Sequence, residues 1–188
     1  AGPTIAEMLK YADLQMAADN TKNKYAFGAD AADSIGGGTG DSHLYGGGGA
    51  DTLVGYGGRD YLQGDAGDDS LDGGGAADFL LGGRSADILD GGEGDDILDG
   101  GTGVDLLYGG DGQDKIYLGG GTTTAYGDAG ADDFYIYGIG NFHLADADAK
   151  AGDRIHVRKG GPLAAGGDHY ADGAYEGIRT KNRTKTGQ

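Results

Sequence analysis

The sequence predicts an all-β fold: a right-handed parallel β-solenoid with a short N-terminal helix and a small C-terminal β cap. Three observations predict it. A nine-residue unit runs from Gly28 to Tyr135 without losing frame, and a fixed short period of this kind marks a solenoid. Glycine supplies 44 of the 188 residues but proline only two, which excludes a collagen repeat. The eighth place of the unit is apolar in every copy, so one inward row is specified along the whole stretch.

Residues 1–27 read as a capping helix and linker. Thr4 and Glu7 have the spacing of a capping box, with Pro3 just outside it. Ile5, Met8, Leu9, Ala12 and Met16 then fall on one helical face, and Asp19-Asn20 ends the element. Its apolar stripe is expected to cover the first coil, because an open solenoid end needs a cap.

Residues 28–135 form the repeat, in twelve frames that begin at residue 28. The eighth place reads Ile35, Leu44, Leu53, Leu62, Leu71, Leu80, Leu89, Leu98, Leu107, Ile116, Ala125 and Phe134. The sixth place reads Asp33, Ser42, Asp51, Asp60, Asp69, Asp78, Asp87, Asp96, Asp105, Asp114, Thr123 and Asp132. A glycine-rich half permits positive φ and a tight turn. The other half is a short x-U-x strand with its middle side chain inward. Two units, eighteen residues, make one coil, and coils stack roughly 4.8 Å apart.

Residues 136–188 lose the period and read as a mixed β cap with a frayed basic tail. Short strands are expected near Phe134–Tyr137, Arg154–Arg158 and Ala174–Thr180.

The net charge of -17 is concentrated in the repeat, where 22 acidic residues face three basic ones. Such a stretch repels phosphate backbones, which argues against nucleic acid. Acidic side chains stacked over one another in every coil also repel unless cations bind between them. There is no cysteine for disulfides and no apolar run of membrane-spanning length. The opening residues do not read as a standard signal peptide, so any export signal the chain carries is expected to be of another kind.

Units such as GGGGADTLV (Gly46–Val54), GGEGDDILD (Gly91–Asp99) and GGDGQDKIY (Gly109–Tyr117) resemble the calcium-binding β-roll of RTX (repeat-in-toxin) proteins. That family includes serralysin-type proteases, secreted lipases, toxins and adhesins. The resemblance implies calcium between turns n and n+2, with about eight ions along two edges. The carboxylates it implies are Asp33, Asp51, Asp69, Asp87 and Asp105 on one edge and Asp60, Asp78, Asp96, Asp114 and Asp132 on the other. It implies backbone ligands from the glycine half of each unit. At the first place these are Gly46, Gly64, Gly73, Gly82, Gly91, Gly100, Gly109 and Gly127, and at the second Gly47, Gly74, Gly83, Gly92 and Gly110. At the third they are Gly48, Ala66, Gly75, Arg84, Glu93, Thr102, Asp111 and Ala129, and at the fourth Gly49, Gly58, Gly67, Ala76, Ser85, Gly94 and Gly112. Ser42 and Thr123 break the Asp rows, and Ala76 and Ser85 stand where the fourth-place glycine is usual.

No H-E-x-x-H, G-x-S-x-G or cysteine nucleophile is present, so the chain is not expected to be an enzyme. The resemblance implies a secreted, extracellular module, exported by a type I pathway. Calcium would trigger its folding, and it would act as a non-catalytic scaffold or tail of a larger exoprotein. The alternative is a self-assembling cell-surface component such as an adhesin, surface-layer or filament subunit. Tyr61, Phe79, Leu81, Ile97 and Tyr117 lie on an outward face that suits either cross-strand stacking or docking of a partner domain or second copy.

Overall fold

The computed structural model of the chain describes residues 24–148, 150–157 and 169–171. They build a parallel solenoid of about seven turns, with no helix among the described residues. The helix expected over residues 4–19 and the strand expected over 174–180 lie outside them.

Two walls of stacked strands face one another. One wall holds β1 (Lys24–Phe27), β3 (Ser42–Gly48), β5 (Tyr61–Ala66), β7 (Phe79–Arg84), the first half of β9 (Ile97–Gly112), β10 (Lys115–Leu118), β12 (Asp133–Ile136) and β14 (Arg154–Val157). The other holds β2 (Ser34–Gly38), β4 (Thr52–Gly57), β6 (Ser70–Gly75), β8 (Ile88–Glu93), the second half of β9, β11 (Gly120–Gly130), β13 (Gly140–Leu144) and β15 (His169–Ala171). Through the repeat, each residue pairs with the one eighteen places on, as in Leu62↔Leu80↔Leu98 and Leu71↔Leu89↔Leu107. The eighth-place side chains of both walls fill a single buried file, joined by the first-place Leu118, and this is the core of the repeat.

The strands are longer than x-U-x. β4, β6 and β8 each run six residues, from the seventh place through the third place of the next unit. The inward alternation does not stop at the apolar residue: Asp at six, Leu at eight and Gly at one of the next unit are all buried. The ladder therefore continues into the glycine half before it turns.

Past Tyr135 the period disappears from the sequence, yet the parallel ladder goes on. Ala125 pairs with Leu144, nineteen residues on, and Phe134 pairs with Ile155, twenty-one on. Where a mixed cap is expected, the described strands β13, β14 and β15 all pair in parallel. Extra residues are absorbed in the turns, so Phe142, Leu144 and Ala147 still join the core.

The outward aromatic residues form files. Tyr25, His43, Tyr61 and Phe79 stack with ring centroids 4.7, 5.8 and 5.4 Å apart. Tyr117, Tyr135 and His156 do the same at 4.7 and 4.5 Å. These separations follow the spacing of parallel strands, so register alone aligns the rings face to face.

Candidate metal centre

The turn geometry explains why the first place must be glycine. A methyl on Gly73 would meet Asp78 Oδ2 at 2.5 Å and the Gly91 carbonyl oxygen at 2.7 Å. Gly82 is hemmed in the same way by Asp87 Oδ2 at 2.6 Å and the Gly100 carbonyl at 2.8 Å. The carboxylate of each unit thus folds back over its own turn, beside a carbonyl of the coil above. Two acceptors crowd one corner, and neither is a donor.

The gap between Asp96 and Asp114 shows the full arrangement. The Asp96 N–H donates to Asp114 Oδ1 at 2.8 Å, which fixes the upper carboxylate over the lower turn. Asp96 Oδ2 is buried and has no hydrogen-bond partner. The Gly92 and Gly94 carbonyls point up from the lower turn, directly beneath Gly110 and Gly112. The Gly109 carbonyl stands next to Asp96 Oδ2, where a Gly91 side chain would be. The Asp111 carbonyl points down and accepts the Gly94 N–H at 2.7 Å. Two carboxylates and four carbonyls of the residues expected there line this one gap. Positive φ at Gly92, Gly94, Gly110 and Gly112 bends the chain while keeping its carbonyls alternating up and down.

The same contact repeats along both edges. Backbone N–H donation from one sixth-place residue to Oδ1 of the next joins Asp33 to Asp51, Asp51 to Asp69, Asp69 to Asp87 and Asp87 to Asp105. On the other edge it joins Asp60 to Asp78, Asp78 to Asp96, Asp96 to Asp114 and Asp114 to Asp132. From Asp51 through Asp132, nine carboxylates, each at most 3% exposed, keep Oδ2 without a partner. Asp33 differs: it is half-buried and its Oδ2 accepts the Ala29 N–H at 2.8 Å.

Burial makes these carboxylates hard to ionise. It pushes Asp78 up to about 8, Asp87 and Asp114 to about 7, and Asp60, Asp96, Asp105 and Asp132 to about 6. The backbone N–H on Oδ1 opposes the shift in each case, and for most of them neighbouring Asp charges add to it. Asp51 and Asp69 are raised for the same reason. A row of buried anions with one oxygen unpaired calls for positive charge.

The breaks in the Asp rows are visible as local substitutions. Ser42 keeps the N–H donation, to Asp60 Oδ1, but offers a hydroxyl that turns to the Gly40 carbonyl at 3.1 Å. Thr123 is buried with its Oγ1 unpaired, over the unpaired Oδ2 of Asp105. Ala76 and Ser85 hold φ of 80° and 84°, the left-handed strain expected of non-glycine residues there. Tyr56, Asp65 and Asp128, at the second place, hold the same conformation, which the fourth-place pattern did not reveal.

One residue was missed. Asp153 lies outside every frame, yet it is buried, and its Oδ1 accepts the Asp132 N–H at 3.0 Å while Oδ2 accepts from Asp148 at 2.8 Å. It takes the sixth place of the next coil, with Ile155 at the eighth. The D-x-I spacing of Asp153-Arg154-Ile155 carried the signal, hidden by a three-residue insertion.

The donor set suits a hard cation. The gaps offer oxygen and no nitrogen or sulfur, in a flexible cage of the kind calcium accepts with six to eight ligands. Among the described residues no three His, Cys, Asp or Glu side chains converge. An ion between coils would therefore be held by one carboxylate pair and the carbonyls. The chain matches the family model described as RTX calcium-binding nonapeptide repeat at residues 27–62, 54–89 and 90–125. It belongs to that family. No curated protein matches the chain. RTX repeats bind calcium, and their β-roll is a structural, non-catalytic kind of domain. The match ends at residue 125, before Asp132 and Asp153.

Proposed function

We propose that the gaps between stacked sixth-place carboxylates hold calcium and that this binding decides whether the chain folds. The observation that carries the reading is the file of buried, unpartnered Oδ2 atoms from Asp51 to Asp132. Four gaps lie on the Asp33 edge and four on the Asp60 edge, the eight expected from the sequence. The contact of Asp132 with Asp153 adds a ninth. In every gap from Asp51 upward the lower Asp presents an unpartnered Oδ2, the upper Asp presents Oδ1, and carbonyls of the first four places complete the cage. Bound calcium supplies two positive charges per gap, which offsets the acidic excess of the repeat.

RTX repeat proteins are typically secreted by type I systems. The chain is accordingly a module that stays unfolded at the low calcium of the cytosol, crosses as an extended chain and folds outside. There it serves as a non-catalytic scaffold of a larger exoprotein. Its glycine content supports this: glycine loses more freedom on folding than any other residue, so a quarter-glycine chain needs an external source of stability. Far-UV circular dichroism in millimolar calcium and again in EGTA tests the reading. The folded spectrum is expected to collapse on chelation and return with calcium; a β-rich spectrum unchanged by EGTA refutes it.

A further inference from the structure

The Asp60 edge does not begin at Ser42. By register, Lys24 pairs with Ser42, eighteen residues on, so Lys24 occupies the sixth place of the coil below. It is the one buried basic side chain among the described residues, at 8% exposure. Its Nζ donates to the Gly37 carbonyl at 2.6 Å. Gly37 is the first-place residue of the coil above, the counterpart of Gly91 over Asp78 and of Gly100 over Asp87.

The inner gaps differ from this one in the partner from below. There, a carboxylate oxygen from below and a first-place carbonyl from above stand side by side, two acceptors that need a cation between them. At the first gap the acceptor from below is replaced by an ammonium, and the carbonyl receives it without an intermediary. The residue above is correspondingly neutral: Ser42 in place of Asp. A buried cation is tolerated only when polar groups satisfy it, and the gap supplies the same carbonyl that faces the carboxylates elsewhere.

We propose that the gap between Lys24 and Ser42 is filled from within the chain, the Lys24 ammonium standing where a divalent cation stands in the gaps above. The inference rests on the calcium reading of those gaps. It assigns Lys24 as a tethered cation that docks β1 on β3 without a metal ion and sets the lower boundary of the calcium ladder on this edge. A divalent ion placed there would meet a like charge from below and the neutral Ser42 at the paired sixth place, so the site excludes calcium rather than binding it weakly.

The test uses the full chain in saturating calcium, with ions counted by native mass spectrometry and β1 followed by amide hydrogen exchange. Replacing Lys24→Asp together with Ser42→Asp restores two carboxylate pairs, at 24/42 and 42/60, and is expected to raise the count by two ions over the wild type. Lys24→Met keeps the stem but removes the charge. It is expected to leave the count unchanged and to lower protection of residues 24–28 about tenfold or more, the loss of a hydrogen bond to a charged group. An unchanged count in the double variant, or full protection of β1 in Lys24→Met, overturns the proposal. A wild type that binds no calcium at all would instead refute the reading of the inner gaps, a separate outcome.

Discussion

Asp96→Asn separates a metal-binding carboxylate from one that merely shapes a turn. The substitution keeps Oδ1, so the Asp78 N–H retains its acceptor. It replaces the unpartnered Oδ2 with an amide that donates instead of accepting. Two gaps share this residue, 78/96 through Oδ1 and 96/114 through Oδ2. With calcium at ten times a site's Kd, one site stabilises the fold by about 1.4 kcal/mol. Loss of both gaps costs about 3 kcal/mol on the same basis. Without calcium the sign reverses. Burial holds the Asp96 carboxyl near 6 against an ordinary 3.8, so its charge at pH 7.5 costs about 3 kcal/mol, at 1.36 kcal/mol per unit, and the neutral amide removes that cost. Urea titrations in calcium, and in EGTA with sucrose to bring the metal-free fold into range, read both numbers. The variant is expected to be less stable than wild type in calcium and more stable in EGTA. Equal destabilisation under both conditions would refute the argument, because it would mean the carboxylate serves the turn and not an ion. Asp72→Asn, on an exposed outward place, is the control and should change neither curve by more than about 0.5 kcal/mol.

Three further outcomes follow from the same geometry. The buried sixth-place carboxyls are raised, so at these sites the metal-free fold binds more protons than the unfolded chain; their contribution to stability is highest below pH 3.8 and falls as pH rises toward 8, the range set by Asp78 and its neighbours. Circular dichroism against pH in EGTA should therefore show β structure gained on acidification, and a loss on acidification would contradict the burial argument. Ala76→Gly and Ser85→Gly relieve left-handed strain and should each stabilise the calcium-loaded chain by about 1 kcal/mol in urea titrations. Asp153→Asn should lower the calcium count by one and reduce hydrogen-exchange protection in β14, leaving β3 to β8 unaffected.

The inward file was readable because one apolar residue recurs at an invariant place, and nothing but a coil of two units can bury twelve of them together. The carboxylate rows were readable for the same reason: Asp at six lies two residues before Leu at eight, and strand alternation puts both on the inner face. Three features were not readable. Lys24 sits before the first glycine pair, in a segment without the repeat's signature, so only register reveals its place. Asp153 follows an insertion that shifts it three residues out of frame; the ladder tolerates this because a turn can lengthen without moving the strands it joins. The left-handed second-place residues Tyr56, Asp65 and Asp128 were hidden because a substituted glycine changes the cost of a backbone conformation and not the conformation itself.

The way the carboxylates are shared has a consequence for how the ladder loads. Each inner Asp commits Oδ1 to the gap below and Oδ2 to the gap above, so filling one gap orients and neutralises a ligand of the next. Coupling therefore runs along an edge, coil to coil, as in other linear repeat architectures. Between the two edges the paired sixth-place carboxylates are not shared; the edges are joined instead by the leucine file, the turns of each coil and the continuous strand β9. An edge should lose its ions together, beginning where a gap has one weak neighbour. On the Asp33 edge those ends are Asp33, whose Oδ2 is already taken by Ala29, and Asp105, which faces Thr123. On the Asp60 edge the lower end is closed by Lys24 and Ser42, which need no divalent ion to hold the coil. Calcium withdrawal should then open the Asp33 edge first, visible as earlier loss of amide protection in β2 and β4 than in β3 and β5. Simultaneous loss in all four strands at every calcium concentration would show that the core, and not the shared carboxylates, sets the cooperative unit.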